Sequence, residues 1–310
     1  MTKKEIESAK AQRVRKANSL IQQSRYSLSI QQQKILLFLI SQIQPEDDDF
    51  KTYDFSIRDF CQICGIDCNQ GNNYKELKDN ILDIMKHPVG WVELEEGKET
   101  VLLWIEKPII SRNDGIVQLK LDKDMKPYLL NLKANFTSYE VGFTLKFRSK
   151  YAIRLYELAK SYQYHDDTPF TRVYPIDELR EILDAETYPQ YKNFKQRVLT
   201  PAIREINEYS DKTIELLEHK TGRAGKVQNV ELTISAKQGE ALNAVRALIG
   251  ARPRRQPATP VDATAPGKRS AAPRQKKPTK ENVDSGSASG SGLLDIQRMQ
   301  SRLGAGTEMI

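Results

Sequence analysis

The chain contains two stretches with the same order of apolar and polar positions, separated by 117 to 122 residues. Self-similarity at a nearly fixed distance indicates a duplicated structural unit, and small drifts in the distance are expected where loops differ in length. The matched pairs are KILLFLISQ (34–42) with AIRLYELAK (152–160), FSIRDFCQIC (55–64) with YPIDELREIL (174–183), YKELKDNIL (74–82) with YKNFKQRVL (191–199), and VEL (92–94) with IEL (214–216).

The apolar spacing predicts the same series of elements in each copy. Three-and-four spacing predicts helices, and alternation predicts strands. Helices are expected at 31–43, 57–64 and 73–86 and at 148–164, 176–183 and 191–208. Strands are expected at 50–55, 90–94 paired with 100–106, and 117–122, and at 170–174 and 212–217 paired with 228–235. This order predicts an α+β fold with two tandem winged helix-turn-helix domains.

Positive charge is concentrated at the C-terminal end of the chain. Of the formal net charge of +7, residues 251–310 contribute 11 basic and 5 acidic side chains, or +6, which leaves +1 for residues 1–250. The composition of this tail, rich in Pro, Ala, Ser and Gly, predicts a disordered segment whose effect on DNA is non-specific phosphate attraction. The predicted domains are a basic N-terminal arm (1–25), a first winged helix (26–135), a second winged helix (136–238) and the tail (251–310).

The second copy carries the candidate DNA-binding residues. Amide and guanidinium side chains can pair with base edges in the major groove, and cationic, Gly-containing loops such as HKTGRAGK (219–226) suit contact with phosphates. A solvated helix face without a partner would have a similar composition. Pro201 is expected to bend the helix that contains it. The candidates in this copy are Lys192, Asn193, Lys195, Gln196, Arg197, Thr200, Arg204, Lys220, Arg223 and Lys226.

The first copy is expected to bind DNA more weakly. Its candidate contacts are Lys75 and Lys78. The hairpin loop, or wing, that corresponds to HKTGRAGK is EEGKE (95–99), and it holds three glutamates that phosphate would repel. We therefore expect the second copy to be the main DNA-binding domain and the first copy to make protein contacts as well.

Neither a cofactor nor an enzymatic activity is predicted. Cys61, Cys64 and Cys68 have a spacing that could supply three zinc ligands, but no fourth ligand adjoins them. The repeat instead aligns Cys64 with the core position Leu183 and Cys61 with Arg180, an expected surface position. No metal is therefore expected, and neither a histidine pair nor a carboxylate pair indicates catalysis.

The stretches RSKYAIRLYELAKSYQ, YPIDELREIL and FKQRVLTPAIREINEYSDKTIEL, together with the tandem repeat, resemble the theta-type plasmid replication initiators, the Rep proteins that bind iterons. The resemblance covers about residues 19–236. It implies that a monomer binds direct repeats at a plasmid origin and that a dimer, formed mainly through the first domain, can repress its own gene. It also implies recruitment of the host replication initiator and the replicative helicase.

The resemblance and the apolar pattern together predict a protein of the bacterial cytoplasm that associates with plasmid DNA. The N-terminus lacks an apolar signal region, and the longest aliphatic-aromatic run, ILLFLI (35–40), is too short to span a bilayer. A winged-helix transcription regulator without initiator activity is the main alternative function. A DNA-binding adaptor without sequence specificity is a third, and it depends only on the basic tail.

Overall fold

The computed structural model describes residues 2–64, 73–95, 98–111, 113–162, 168–221 and 225–250. Two winged-helix units follow one another within them, and the predicted α+β architecture is confirmed. The predicted disordered tail at 251–310 lies outside the described residues. The domain boundaries at 26 and 136 stay predictions.

The predicted basic arm contains regular secondary structure over residues 3–23. They contain α1 (Lys3–Ala11), β1 (Arg13–Ala17) and α2 (Asn18–Gln23). Val14, Leu20 and Ile21 from this segment are buried in the core, which is why a segment that looks basic by charge count is folded onto the rest of the chain. Residues 3–23 of the predicted basic arm are therefore folded, and the bounds of the arm stay a prediction.

The first winged helix closely follows the predicted order of elements. Ser29 and Gln32 form a capping box at the start of its first helix, and apolar residues then line that helix on nearly every side. The elements are α3 (Ile30–Ser41), β2 (Tyr53–Ser56), α4 (Ile57–Cys64), α5 (Asn73–Ile84), β3 (Gly90–Glu95), β4 (Lys98–Leu102), β5 (Ile109–Ser111), β6 (Ile116–Leu119) and α6 (Lys126–Leu129).

Strand β7 (Phe136–Glu140) and helix α7 (Val141–Leu145), which the sequence pattern did not predict, follow the first winged helix along the chain. Strand β7 pairs antiparallel with β1, so a two-stranded ribbon joins the start of the chain to the segment that precedes the second winged helix. The remaining elements are α8 (Lys150–Tyr162), β8 (Phe170–Pro175), α9 (Ile176–Ile182), α10 (Tyr191–Phe194), a π-helical turn (Lys195–Leu199), α11 (Thr200–Tyr209), β9 (Lys212–Thr221), β10 (Lys226–Ala236) and α12 (Gly239–Ile249).

The sheet topology corrects the predicted wing of the first copy. In the second unit the strand order is β8-β10-β9, so the hairpin β9–β10 is the wing. In the first unit the equivalent order is β2-β6-β5, and β3–β4, which contains the EEGKE stretch, forms a separate two-stranded sheet. The first wing is therefore the hairpin β5–β6. The side chains of 91–97 and 99 lie outside the described parts of the chain, so the expected repulsion by three glutamates is not tested.

A buried polar network connects the first 25 residues to α8, the central helix of the second unit. Lys16 on β1 forms an ion pair with Glu157 at 2.8 Å, and both side chains are almost fully buried. Arg154 donates to the Tyr26 hydroxyl at 3.0 Å and to the carbonyl oxygen of Ser24 at 3.1 Å. Because these groups have little water available, each must find its partner within the fold.

Candidate nucleic-acid interface

The helix-turn-helix of the second unit is fixed by contacts across its turn. Helix α9 ends at Ile182, and the chain reverses over 183–190 before α10 begins. Arg180 reaches back from α9, donates to the carbonyl oxygen of Pro189 at 3.0 Å and stacks over the Phe194 ring at 5.4 Å. Phe194 itself is fully buried, so the start of the second helix is anchored to the core.

The second helix of this motif runs from Tyr191 to Tyr209 as α10, a π-helical turn and α11. Pro201 explains the interruption, because it lacks an N–H and its ring would clash with the carbonyl of Arg197 in a regular α-helix. The Thr200 N–H instead bonds to the carbonyl oxygen of Lys195, five residues back. The interruption is therefore a widened turn just before Pro201, while the predicted bend of the helix stays a prediction. The widened turn buries the successive residues Val198 and Leu199.

Six of the seven residues predicted on this helix are exposed. They form a polar surface along the helix, opposite the buried side chains of Phe194, Val198, Ala202 and Ile206. Five of them make no side-chain hydrogen bond or ion pair within the part of the chain that the structure describes, while Asn193 donates to Gln190 at 3.5 Å. The exposed residues are Lys192, Asn193, Gln196, Arg197, Thr200 and Arg204.

Lys195 differs from the other candidates on this helix because a carboxylate already holds it. Its Nζ lies 2.6 Å from Glu218 Oε1 on β9, and the Tyr191 hydroxyl donates to the same oxygen at 2.8 Å. The hydrogen bond from Lys195, the largest cause, and the one from Tyr191 lower the pKa of Glu218 below its usual value. The sequence offered no signal for Glu218, because its contacts join residues more than twenty positions apart.

The wing lies beside this helix as the long hairpin β9–β10. Lys220 near the end of β9 and Lys226 at the start of β10 are both exposed, and Gly225 between the strands has a φ of 62°, a conformation that glycine adopts without strain. The third predicted wing residue, Arg223, lies outside the described residues. The two lysines thus flank the tip of the hairpin, as the loop composition predicts.

Two contacts fix the far end of the helix. The Glu205 carboxylate is buried and accepts from the backbone N–H groups of Arg148 (2.9 Å) and Ser149 (3.1 Å), just before α8. Lys237 donates to the carbonyl oxygen of Ser210 at 3.0 Å, beyond the last turn of α11. A cation at the C-terminal end of a helix is favourable because the last carbonyl groups carry partial negative charge. Glu205 therefore points away from the exposed polar surface.

The first unit presents a less cationic helix. Helix α5 carries two basic residues, Lys75 and Lys78, against three acidic ones, Glu76, Asp79 and Asp83. The second helix, 191–209, carries four basic residues against two acidic ones, of which Glu205 is turned inward. Lys75 is exposed and Lys78 is half-buried. The second helices of the two units thus differ in charge, while the contrast expected between the two loops stays a prediction.

The cysteine interpretation needs one correction. Cys61 is buried and disulfide-bonded, whereas the repeat alignment places it at the surface; its helix, α4, packs against α1. The Cys64 side chain and Cys68 lie outside the described parts of the chain. Among the described residues, no group of three His, Cys, Asp or Glu side chains is arranged to hold a metal ion. None of the helices described there is both long and apolar enough to cross a membrane.

The chain contains two winged helices in tandem, and the second presents a cationic helix beside a cationic hairpin. These features place the chain in the class of tandem winged-helix proteins. Two family models match in succession: initiator replication protein WH1 over residues 13–160 and initiator Rep protein WH2 over 175–234. The chain therefore belongs to the initiator replication protein family, and the resemblance seen in the sequence is confirmed.

Relatives and a solved structure agree with this assignment. The chain is 27% identical over 215 residues to an Escherichia coli "Replication initiation protein" and 28% identical over 130 residues to the E. coli "PI protein". These matches cover 67% and 38% of this chain, and 65% and 42% of the relatives. The crystal structure of Pi initiator protein in complex with iteron DNA matches with a TM-score of 0.60 at 21% identity, covering 74% of this chain and 99% of that one.

Proposed function

We propose that the protein initiates plasmid replication by binding direct repeats, the iterons, in origin DNA. The observation that carries the proposal is the row of exposed polar and cationic side chains on residues 192–204. Apart from Asn193, these exposed side chains have no partner among the described residues, and their helix contacts the hairpin that carries the wing lysines. Exposed guanidinium and amide groups on the second helix of a helix-turn-helix suit base edges in the major groove. The iteron complex of the structurally similar Pi initiator supports the choice of ligand.

Different parts of the surface have different tasks in this proposal. Gln196 and Arg197, near the middle of the helix, select bases, whereas Lys220, Arg223 and Lys226 of the wing contact phosphates and fix the orientation of the domain. Lys75 and Lys78 of the first unit add weaker contacts one helical turn away. The first unit also supplies the dimer contact, and the host initiator and replicative helicase are the protein partners, as the resemblance implies.

A winged-helix regulator that binds DNA without initiating replication is the second candidate. Two non-identical winged helices in one chain suit a direct repeat bound by a monomer, whereas regulators usually obtain two DNA-binding units by dimerising. Replication distinguishes the two. A plasmid that carries an array of direct repeats of about 20 base pairs, or about two helical turns, should replicate only when this protein is supplied.

The DNA-binding assignment is tested by footprinting followed by two sets of variants. Protection should extend over about two helical turns with a period of about ten base pairs. Gln196→Ala should weaken binding to the iteron by about 1–3 kcal/mol and relax selection at one or two base positions. Binding to random DNA should change little, because an uncharged side chain contributes little to phosphate attraction.

The wing variant Lys220→Ala/Lys226→Ala should behave differently. It should weaken binding to all sequences and reduce the slope of log K against log salt by about two units, because each lost phosphate contact accounts for about 0.9. Lys75→Ala/Lys78→Ala serves as the matched control on the first unit, since it removes the same charge. If this control alters base preference while Gln196→Ala and Arg197→Ala do not, the first unit selects the sequence and the assignment is reversed.

A further inference from the structure

Glu218 is a carboxylate within a surface that otherwise suits DNA. Its cross-strand neighbour on β10 is Val230, which is fully buried, so Glu218 lies on the face of the wing that packs against the helices. There its Oε1 accepts from Lys195 Nζ at 2.6 Å and from the Tyr191 hydroxyl at 2.8 Å. The Glu218 side chain is only 22% exposed.

The two donors lie one helical turn apart at the start of the second helix. Residues at i and i+4 occupy the same side of a helix, so one carboxylate oxygen holds both Tyr191 and Lys195. Lys195 is also the first residue of the π-helical turn, which contains Gln196 and Arg197. The contact with Glu218 thus joins β9 to the part of the helix where the proposed base contacts begin.

The charge of Glu218 opposes the proposed function, because a carboxylate near phosphate raises the energy of the complex. Strand β9 of the wing therefore carries a group that repels DNA. The hydrogen bonds of this group are made with two residues of the helix, Tyr191 and Lys195. A hydrogen bond to a charged group is stronger and better defined in geometry than one between neutral groups. This carboxylate therefore cannot attract DNA, but it can hold the wing and the helix in a fixed position.

We infer that Glu218 is a positioning residue: through Lys195 and Tyr191 it fixes the angle between wing and helix at which Gln196 and Arg197 meet the bases. This inference rests on the proposed function. Lys195 then supports sequence selection through Glu218 and does not act as a phosphate contact. Lys192, four-fifths of a turn earlier and without a partner among the described residues, remains available to phosphate.

The test compares two variants that remove the same charge from the same strand. Glu218→Gln breaks the ion pair, whereas Glu215→Gln alters an exposed glutamate that faces the opposite side of the sheet and has no partner among the described residues. Affinities are measured by fluorescence anisotropy for an iteron duplex and a random duplex. Glu215→Gln should leave the ratio of the two affinities unchanged. Glu218→Gln should lower this ratio about tenfold, since it weakens iteron binding while random DNA binds as well as before or more tightly.

Lys195 supplies a second readout. Lys195→Met should lower the ratio of affinities as Glu218→Gln does. The double variant Lys195→Met/Glu218→Gln should lower the ratio no further than either single variant, because each substitution breaks the same interaction. The salt slope should stay unchanged in Lys195→Met but decrease by about one in Lys192→Met. Tyr191→Phe, which removes a single hydroxyl, should lower the ratio by a smaller factor and serves if Glu218→Gln folds poorly.

Simple repulsion predicts the opposite result for Glu218→Gln. If this variant tightens binding to both duplexes by the same factor, Glu218 only repels DNA and the inference is wrong. If wild-type protein does not prefer the iteron at all, the proposed function fails instead. The two failures are therefore distinguishable within one set of measurements.

Discussion

The ion pair between Lys16 and Glu157 allows a direct test of whether the N-terminal segment is an integral part of the fold. Lys16 lies on β1 and Glu157 on α8, 2.8 Å apart, with 4% and 0% of their side chains exposed. The Tyr139 hydroxyl of the paired strand β7 also donates to Glu157. Lys16→Met would therefore leave the Glu157 carboxylate in the core without its ion-pair partner.

The expected loss of stability is large. Removing one partner of a buried ion pair costs about 3–5 kcal/mol, because the remaining charge keeps its desolvation penalty. At about 2–4 °C per kcal/mol for a chain of this size, the midpoint of thermal unfolding should fall by about 6–20 °C. Replacing both residues, as in Lys16→Met/Glu157→Leu, should recover most of this loss, since no buried charge remains.

Urea unfolding followed by circular dichroism measures these differences. Arg15→Met is the matched control, because Arg15 neighbours Lys16 on β1 but is half-buried and has no hydrogen bond or ion pair within the described residues. Its effect should stay within about 0.5 kcal/mol. A loss below about 1 kcal/mol for Lys16→Met would refute the reasoning, and would mean that β1 separates from α8 at little cost.

Two further predictions concern packing and acid stability. Gly142→Ala should lower the free energy of unfolding, measured by thermal unfolding, by about 1–3 kcal/mol, because the new Cβ would lie 2.8 Å from the carbonyl oxygen of Lys10 on α1. An unchanged midpoint would show that α1 moves aside freely. Burial alone would raise the pKa of Asp211, but Lys160 and Lys212 hold it below 3.8. The stabilisation is thus fully present only well above the unfolded pKa, and it is lost as pH falls through the lower folded pKa. Asp211→Asn should lower stability at pH 7 and flatten the acid-unfolding curve, whereas an equally steep curve would contradict this.

Much of the fold was predictable because the relevant signals are local. The helix predicted at 57–64 is observed at Ile57–Cys64, and the helix predicted at 191–208 is observed from Tyr191 to Tyr209. Apolar spacing over one or two turns decides which side of a helix is buried, and it needs no knowledge of distant residues. The same pattern separated Gln196 and Arg197 from the core side chain Val198 on the candidate DNA-binding helix.

The elements that were missed or misassigned depend on long-range contacts. The ribbon of β1 and β7 pairs residues more than 100 positions apart, and short strands of this kind have weak local patterns. The match of VEL (92–94) with IEL (214–216) predicts the wing of the first unit at 95–99, whereas only the pairing of β2 with β6 identifies the hairpin β5–β6 as its wing. Helix α12 was also missed.

By itself, the sequence determined the duplication, the order of helices and strands in each copy, and the cationic character of the second helix. Those properties follow from composition and periodicity along the chain. Tertiary structure alone decided which hairpin joins each sheet, that Cys61 is buried, and that Glu218 holds Lys195. The physical reason is that a given pattern of apolar and charged residues is compatible with several partners, and only the packing of elements distant in sequence selects among them.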